Sequence, residues 1–310
     1  MSSLSNLQGC GTALVTPFRA DGSLDEPALH GLVHWQIESG IKLLIACGTT
    51  GETPTLSDDE WQRVIEVVVE TAAGRVPVFA GCTHNSTREA VEKTHRASRI
   101  PGLTGLLTAN PYYNKPTQEG QFQHFRAIAE ATQLPVLLYN IPGRTGANLE
   151  PTTVARLAEI PNIIGIKESC GSLPQITELL TIVPPGFKVF AGDDNVALAV
   201  IGVGGVGLVS VSANEIPAEM STMVNAALSG DWITARRINR KYYRLILANF
   251  WESNPIPVKC ILARMGRITE SYRLPLVPPN PGTRARLEKL AGELGLLTHA
   301  PQEPGDLRMY

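Results

Sequence analysis

A lysine that ends an apolar strand is the residue of this sequence best placed for chemistry. Lys167 follows the apolar run 163–166, and the alternation of side chains along a strand places it on the opposite face from Glu168. Burial disfavours a charged ammonium, and the neutral amine can attack a carbonyl to form a Schiff base. The strand alone is equally compatible with a buried lysine that is paired with a structural carboxylate.

Other polar residues at strand ends could take part in such a reaction. Thr49, Thr50 and Gly51 offer hydroxyls and backbone N–H groups to a small carboxylate, or form an ordinary turn. Tyr139 could relay protons at an imine, or serve only in packing. Arg144 could hold a second carboxylate through two hydrogen bonds, or be solvated. Together with a strand-end lysine, these residues favour the capture of a keto acid.

The elements that must position these residues are strands and helices in alternation. Short β-branched runs alternate with stretches of helical period, which predicts βα units and a parallel sheet. The predicted strands cover residues 12–16, 43–47, 76–80, 105–108, 136–139, 163–167, 188–191 and 207–212. Eight repeats favour a closed (β/α)8 TIM barrel over an open doubly wound sheet, and barrel chemistry lies at the carboxyl ends of strands.

A helical region follows the last predicted strand. Helices are predicted at residues 217–229, 232–250, 258–265 and 283–294. The chain has 310 residues, more than the ~250 of a plain barrel. We therefore expect residues 1–228 to form the catalytic barrel and residues 229–310 to form a C-terminal helical extension packed on it.

Composition restricts the class of function. Hydrophobic residues make up 43% of the chain, and no apolar run of ~20 residues could span a bilayer. A net charge of −2 and basic residues without an evident cluster give no reason to expect a nucleic acid or membrane partner. The scattered cysteines and the absence of a signal or transit pattern in residues 1–9 predict a cytoplasmic protein with reduced thiols.

Six segments in a fixed order carry a resemblance to a known family. They are GTTGE at 48–52, NPYYN at 110–114, YNIPGRTG at 139–146, GIKE at 165–168, GDD at 192–194 and NPIPVK at 254–259. Over about residues 9–280 the chain resembles the dihydrodipicolinate synthase branch of the pyruvate-dependent aldolase and lyase superfamily. This resemblance implies condensation of pyruvate with L-aspartate 4-semialdehyde to 4-hydroxy-tetrahydrodipicolinate, for lysine and diaminopimelate biosynthesis.

The resemblance also implies roles for individual residues. Lys167 forms the imine with pyruvate, while Thr50, Tyr139 and Tyr113 form a proton relay in which Tyr113 comes from a neighbouring subunit. A homo-oligomer, a tetramer or a dimer, is therefore expected. The residues implied in substrate binding are Thr49, Thr50, Arg144, Gly192 and Val209.

Regulation by lysine is expected to be weak or absent. Three residues resemble those that line a lysine-binding cleft between subunits in feedback-inhibited bacterial members: Asn85, Glu89 and Tyr112. Where such enzymes often carry a small residue and two histidines, this chain has Pro54, Asp58 and Trp61.

No cofactor and no metal are expected. Glycines at 202–207 satisfy GxGxxG, but a helical stretch precedes them and a strand follows, the reverse of a dinucleotide-binding turn. His30 and His34 could bind a metal together, but the sequence suggests no third ligand for it. The side chains of Asp193 and Asp194 are expected to point in different directions because the two residues are adjacent.

Two alternative functions remain open. Another pyruvate-dependent class I aldolase, such as N-acetylneuraminate lyase or an aldolase of 2-keto-3-deoxy sugar acids or 4-hydroxy-2-oxoglutarate, would use the same lysine with a different aldehyde. Arg144 favours the anionic semialdehyde over these substrates. A non-catalytic barrel that binds a keto acid is the second alternative.

Overall fold

The computed structural model describes residues 6–297, and these residues contain a closed barrel. Eight parallel strands pair in chain order, and β8 pairs back with β1. The strands are β1 Gly9–Ala13, β2 Leu43–Ala46, β3 Val78–Gly81, β4 Gly105–Ala109, β5 Val136–Asn140, β6 Ile163–Glu168, β7 Lys188–Ala191 and β8 Gly207–Ser210. The predicted TIM barrel is confirmed.

Helices cover the outside of the barrel. They are α1 Glu26–Glu38, α2 Asp58–Ala72, α3 Thr87–Ser98, α4 Gln118–Glu130, α5 Pro142–Thr145, α6 Pro151–Leu157, α7 Leu173–Ile182, α8 Ala197–Gly202, α9 Pro217–Leu228, α10 Trp232–Ala248, α11 Ile256–Arg264 and α12 Pro281–Glu293. Helix α5 is a single turn in the loop after β5. None of the described helices is long and apolar enough to cross a membrane.

The strands separate two apolar layers. Side chains such as Leu137, Phe190 and Val209 fill the barrel interior, whereas Leu138 and Ile166 pack outward into the layer below the helices. This alternation follows from the two-residue period of a strand. Because Tyr139 pairs with Lys167 in register and Tyr139 belongs to the interior layer, Lys167 also faces the interior.

The predicted position of the first strand, residues 12–16, was wrong. Strand β1 is Gly9–Ala13, whereas the other strands agree with their predicted ends within two residues. A Cβ at Gly11 would lie 2.4 Å from Leu43 Cγ, and a Cβ at Gly207 would lie 2.0 Å from the Gly9 carbonyl oxygen. Glycine allows this close approach of strands. Because glycine has no side chain, the first strand does not show the apolar pattern by which the other strands were predicted.

The C-terminal helices pack in pairs. Helix α9 packs against α10, α11 packs against α12, and α11 also contacts the 3-10 turn Ser212–Asn214 after β8. The division at residues 228 and 229 would fall between α9 and α10 and stays a prediction. Residues 1–5 of the predicted barrel and residues 298–310 of the predicted extension lie outside the described residues.

One helix carries a local positive surface. Exposed Arg236, Arg237 and Arg240 line a shallow depression on α10 together with Ile233. The expectation that basic residues are not clustered was therefore wrong for this helix. Net charge missed the cluster because acidic residues elsewhere in the chain balance it.

Candidate active site

Lys167 lies inside the barrel near the carboxyl end of β6. Its side chain is 4% exposed, and its Nζ atom lies 4.5 Å from the centroid of the Tyr139 ring. A Cβ at Gly192, just after β7, would lie 2.9 Å from Lys167 Cε. Glycine at position 192 therefore leaves the space that the lysine side chain occupies, and its role in substrate binding stays a prediction.

The alternative interpretation, a buried lysine paired with a carboxylate, describes a different residue. Within residues 6–297 no carboxylate forms an ion pair with Lys167. Lys259 of α11 does form such a pair with Glu52, and both side chains are 0% exposed. Burial lowers the pKa of Lys259, and the Glu52 carboxylate partly opposes that effect. The sequence analysis gave Lys259 no role, because the residues around it in the predicted helix do not indicate that it is buried.

The Thr49–Gly51 segment forms a 3-10 turn directly after β2. Thr50 is buried, and its hydroxyl oxygen accepts a hydrogen bond from Asn254 Nδ2 at 3.0 Å. The Gly51 carbonyl accepts a hydrogen bond from Thr16 Oγ1 at 2.7 Å. The turn is thus held from two sides at the mouth of the barrel.

Arg144 lies in α5 with its side chain at the surface. Its Nη2 atom donates to the Asn254 carbonyl at 3.1 Å. It forms no ion pair in the described part of the chain, so the guanidinium can still bind a carboxylate. Through Asn254, the structure connects Arg144 to Thr50.

Tyr113 is not brought together with the other proposed relay residues. It is 88% exposed in the loop after β4, and its backbone N–H donates to the Thr145 carbonyl at 3.2 Å. Its φ of 75° lies in the left-handed region, which is unusual for tyrosine. Among the described residues, no hydrogen bond or ring contact joins Tyr113 to Lys167 or Tyr139.

The last residue of the predicted site lies in the barrel interior. Val209 of β8 shares the interior layer with Tyr139. Asp194 is buried, and it accepts hydrogen bonds from Ser210 Oγ and, at 3.0 Å, from the Val211 N–H. Burial raises the pKa of Asp194. The described residues contain no group of three or more His, Cys, Asp or Glu side chains that could hold a metal.

Comparison with known proteins decides the family. Residues 6–294 match the Dihydrodipicolinate synthetase family. The chain belongs to this family. It is 64% identical to a 4-hydroxy-tetrahydrodipicolinate synthase of Acidobacterium capsulatum over 96% of this chain and 98% of that protein. It is 60% identical to a synthase of the same name from Koribacter versatilis over 95% of this chain and 98% of that protein.

A solved structure of the dihydrodipicolinate synthetase family has the same fold. The chloride-inhibited dihydrodipicolinate synthase from Acinetobacter baumannii, complexed with pyruvate, superposes with a TM-score of 0.91 at 44% identity. The match covers 94% of this chain and 100% of that one. The resemblance drawn from six sequence segments is therefore confirmed.

The three residues that the resemblance implies in lysine binding lie in the loops after β3 and β4 and at the start of α3. The Asn85 carbonyl accepts a hydrogen bond from Asn114 Nδ2 at 3.0 Å, in the loops after β3 and β4. Tyr112 is partly exposed with the His84 ring edge-on to it, and Glu89 lies in the first turn of α3. Weak or absent inhibition by lysine stays a prediction.

Glu168 is a buried carboxylate that sequence analysis left without a role. It ends β6 next to Lys167 and lies on the opposite face of the strand, away from the barrel interior. Both of its carboxylate oxygens accept from Asn140 Nδ2, at 3.0 and 3.2 Å, and Oε1 also accepts from the Cys170 N–H at 2.8 Å. Burial raises the pKa of Glu168 to about 7. Because Asn140 follows Tyr139 in β5, this network supports the backbone behind two proposed catalytic residues.

The raised pKa of Glu168 predicts a pH-dependent stability. The folded chain binds this proton more tightly than the unfolded chain does, so the contribution to stability is full at low pH and is lost as pH rises through about 7. Glu168→Gln, which stays neutral, should match the native chain near pH 4 and exceed its unfolding free energy by about 3 kcal/mol near pH 8.

Urea unfolding at both pH values measures this difference. The exposed Glu159 supplies the matched control, and Glu159→Gln should follow the native pH dependence. If the difference between Glu168→Gln and the native chain were independent of pH, the titration of Glu168 would not be the cause.

Proposed function

We propose that the chain condenses pyruvate with L-aspartate 4-semialdehyde to give 4-hydroxy-tetrahydrodipicolinate, in lysine and diaminopimelate biosynthesis. The observation that carries this proposal is the buried amine of Lys167, which forms no ion pair within residues 6–297 and lies adjacent to the Tyr139 ring. The two relatives named 4-hydroxy-tetrahydrodipicolinate synthase support the same product.

The proposed reaction begins on Lys167. Its amine attacks C2 of pyruvate, and loss of the carbonyl oxygen as water leaves an imine. Loss of a proton from C3 gives an enamine, which forms a carbon–carbon bond to the aldehyde carbon of the semialdehyde, whose oxygen takes up a proton. The amino group of the second substrate then attacks the imine carbon and closes the ring, and expulsion of the lysine amine releases the product.

Each substrate carboxylate has a proposed binding site. The backbone N–H groups and hydroxyls of Thr49 and Thr50 would hold the carboxylate of pyruvate, with Gly192 and Val209 forming the adjacent wall. Arg144 would hold the carboxylate of the semialdehyde. Tyr139 and Thr50 would move protons at the imine, a role that needs no cofactor or metal.

A second subunit would complete the proton relay. Tyr113 projects from the surface and is 88% exposed in the single chain, so we propose that it enters the site of a neighbouring copy in a homodimer or homotetramer. All five cysteines are free thiols, which supports the proposed cytoplasmic location.

An assay with both substrates tests the proposed function. The purified chain is incubated with pyruvate and L-aspartate 4-semialdehyde, and an NADPH-dependent reductase reports the product. Turnover supports the synthase. Cleavage of N-acetylneuraminate, a 2-keto-3-deoxy sugar acid or 4-hydroxy-2-oxoglutarate without semialdehyde turnover would instead support another class I aldolase. Binding of pyruvate without turnover of any of these compounds would support the non-catalytic alternative.

Removal of Arg144 should affect one substrate. Because a charge-assisted bidentate pair contributes about 3 kcal/mol, Arg144→Ala should raise the KM of the semialdehyde by roughly 10²-fold. The KM of pyruvate should change little, and Arg144→Lys should give an intermediate value. Arg126, an exposed arginine of α4, provides the control. Equal increases in both KM values would argue against the proposed contact.

A further inference from the structure

The helical region after the barrel contacts the proposed pyruvate site through a short segment, residues 254–259. Asn254 and Lys259 in this segment are buried. Asn254 donates to Thr50 Oγ1, and Lys259 forms the ion pair with Glu52. Both contacts fall on the same turn after β2, so the position of that turn depends on a part of the chain that is far away in sequence.

The amide of Asn254 determines the direction of the Thr50 hydroxyl. Because Asn254 Nδ2 can only donate, Thr50 Oγ1 must accept this hydrogen bond, and its own proton is directed elsewhere. That proton is then available to a substrate oxygen or a phenol. An acceptor in place of Nδ2 would instead accept a hydrogen bond from the Thr50 hydroxyl.

The same residue also contacts the second proposed substrate site. The Asn254 carbonyl accepts from Arg144 Nη2 at 3.1 Å, while its side chain contacts Thr50 at 3.0 Å. Backbone and side chain therefore serve two different sites, and a substitution of the side chain can alter one contact and leave the other in place.

The Lys259–Glu52 pair holds the end of the turn. Glu52 has a φ of 54°, in the left-handed region, and its N–H donates to the Thr49 carbonyl at 3.1 Å. Lys259 Nζ also donates to the Thr16 carbonyl at 3.2 Å. A buried ion pair often stabilises a fold no better than apolar residues of similar volume, whereas its geometry is specific. Its contribution here is therefore to the placement of the turn.

We propose that Asn254 and Lys259 are positioning residues for the pyruvate site, Asn254 by orienting the Thr50 hydroxyl and Lys259 by holding Glu52. This inference rests on the proposed function of Lys167 and Thr50. It predicts that the helical region takes part in imine chemistry without touching the substrate.

Asn254→Asp tests the first contact. Aspartate has nearly the same shape and keeps the backbone carbonyl that Arg144 uses, but it replaces the donor with an acceptor. We expect kcat to fall by roughly 10²-fold, as for the loss of a group that assists proton transfer, and the KM of the semialdehyde to stay within about twofold, because the Arg144 contact remains. Asn239→Asp, on α10, provides the control. An unchanged kcat in Asn254→Asp would overturn the role of the amide.

A double variant tests the second contact. Lys259→Met alone leaves the Glu52 charge buried without a partner and is expected to destabilise the fold. Lys259→Met combined with Glu52→Gln removes both charges and should fold with a thermal transition near that of the native chain. We expect this double variant to raise the KM of pyruvate about tenfold. Native kinetics in the folded double variant would show that the pair has only a structural role.

Borohydride trapping separates this proposal from the proposed function. The rate at which pyruvate is fixed on Lys167 reports imine formation and needs no semialdehyde. If the native chain traps pyruvate but does not turn over the semialdehyde, the synthase assignment fails. Slower trapping in both variants than in the native chain would still support the positioning role in that case. Native trapping rates in both variants, with normal turnover, would overturn the positioning role alone.

Discussion

Lys167→Ala is expected to abolish both the borohydride-trapped pyruvate adduct and the condensation, with kcat/KM falling on the order of 10⁵-fold. The reason is that the reaction loses its covalent intermediate. The other buried lysine, Lys259, is paired with Glu52 and cannot replace the lost amine. Lys167→Met, which fills nearly the same volume, should give the same result and shows that the loss does not come from a cavity.

Mass spectrometry of the intact chain measures the adduct. The native chain should gain the mass of one reduced pyruvate, and neither Lys167 variant should gain it. Lys289→Ala, at an exposed position of α12, should behave like the native chain. An adduct that persists in Lys167→Ala would place the nucleophile on another lysine and would remove the basis of the proposed mechanism.

Tyr139→Phe is expected to lower kcat by about 10²–10³-fold. The substitution removes the phenol hydroxyl but keeps the ring that packs in the barrel interior, 4.5 Å from Lys167 Nζ. The fold should therefore be retained. The pyruvate adduct should still form, but more slowly, because the nucleophile is intact and only proton transfer is impaired.

Single-turnover trapping and steady-state kinetics together check this prediction. Tyr243→Phe, at a partly exposed position of α10, should leave both rates unchanged. In a double-mutant cycle, Tyr139→Phe and Thr50→Val should cost much less together than the product of their separate effects, because both residues would serve one relay. Full activity in Tyr139→Phe would exclude the phenol from the relay.

Much of the fold and part of the site could be predicted from local patterns. The alternation of strands with helical stretches and the number of strands predicted the barrel, and the alternation of side chains along β6 predicted that Lys167 and Glu168 lie on opposite faces. These inferences succeeded because alternation along a strand is a local property that fixes which face each side chain occupies. The same logic failed at β1, where Gly9 and Gly11 carry no side chain to reveal the pattern.

Only the tertiary structure decided which distant residues meet. The hydrogen bond from Asn254 to Thr50 spans 204 positions, and the ion pair of Lys259 with Glu52 spans 207. A lysine is almost never fully buried unless it is paired with an acidic residue. The partner of Lys259 is distant in sequence, so the residues around Lys259 did not indicate that it is buried. Likewise, the alternation along β6 indicated that Glu168 lies on the opposite face from Lys167, but it did not indicate that Asn140 and Cys170 enclose Glu168. The burial and pairing of these residues depend on closure of the barrel and on the packing of the helices that follow it. Neither can be predicted from the periodicity of the sequence.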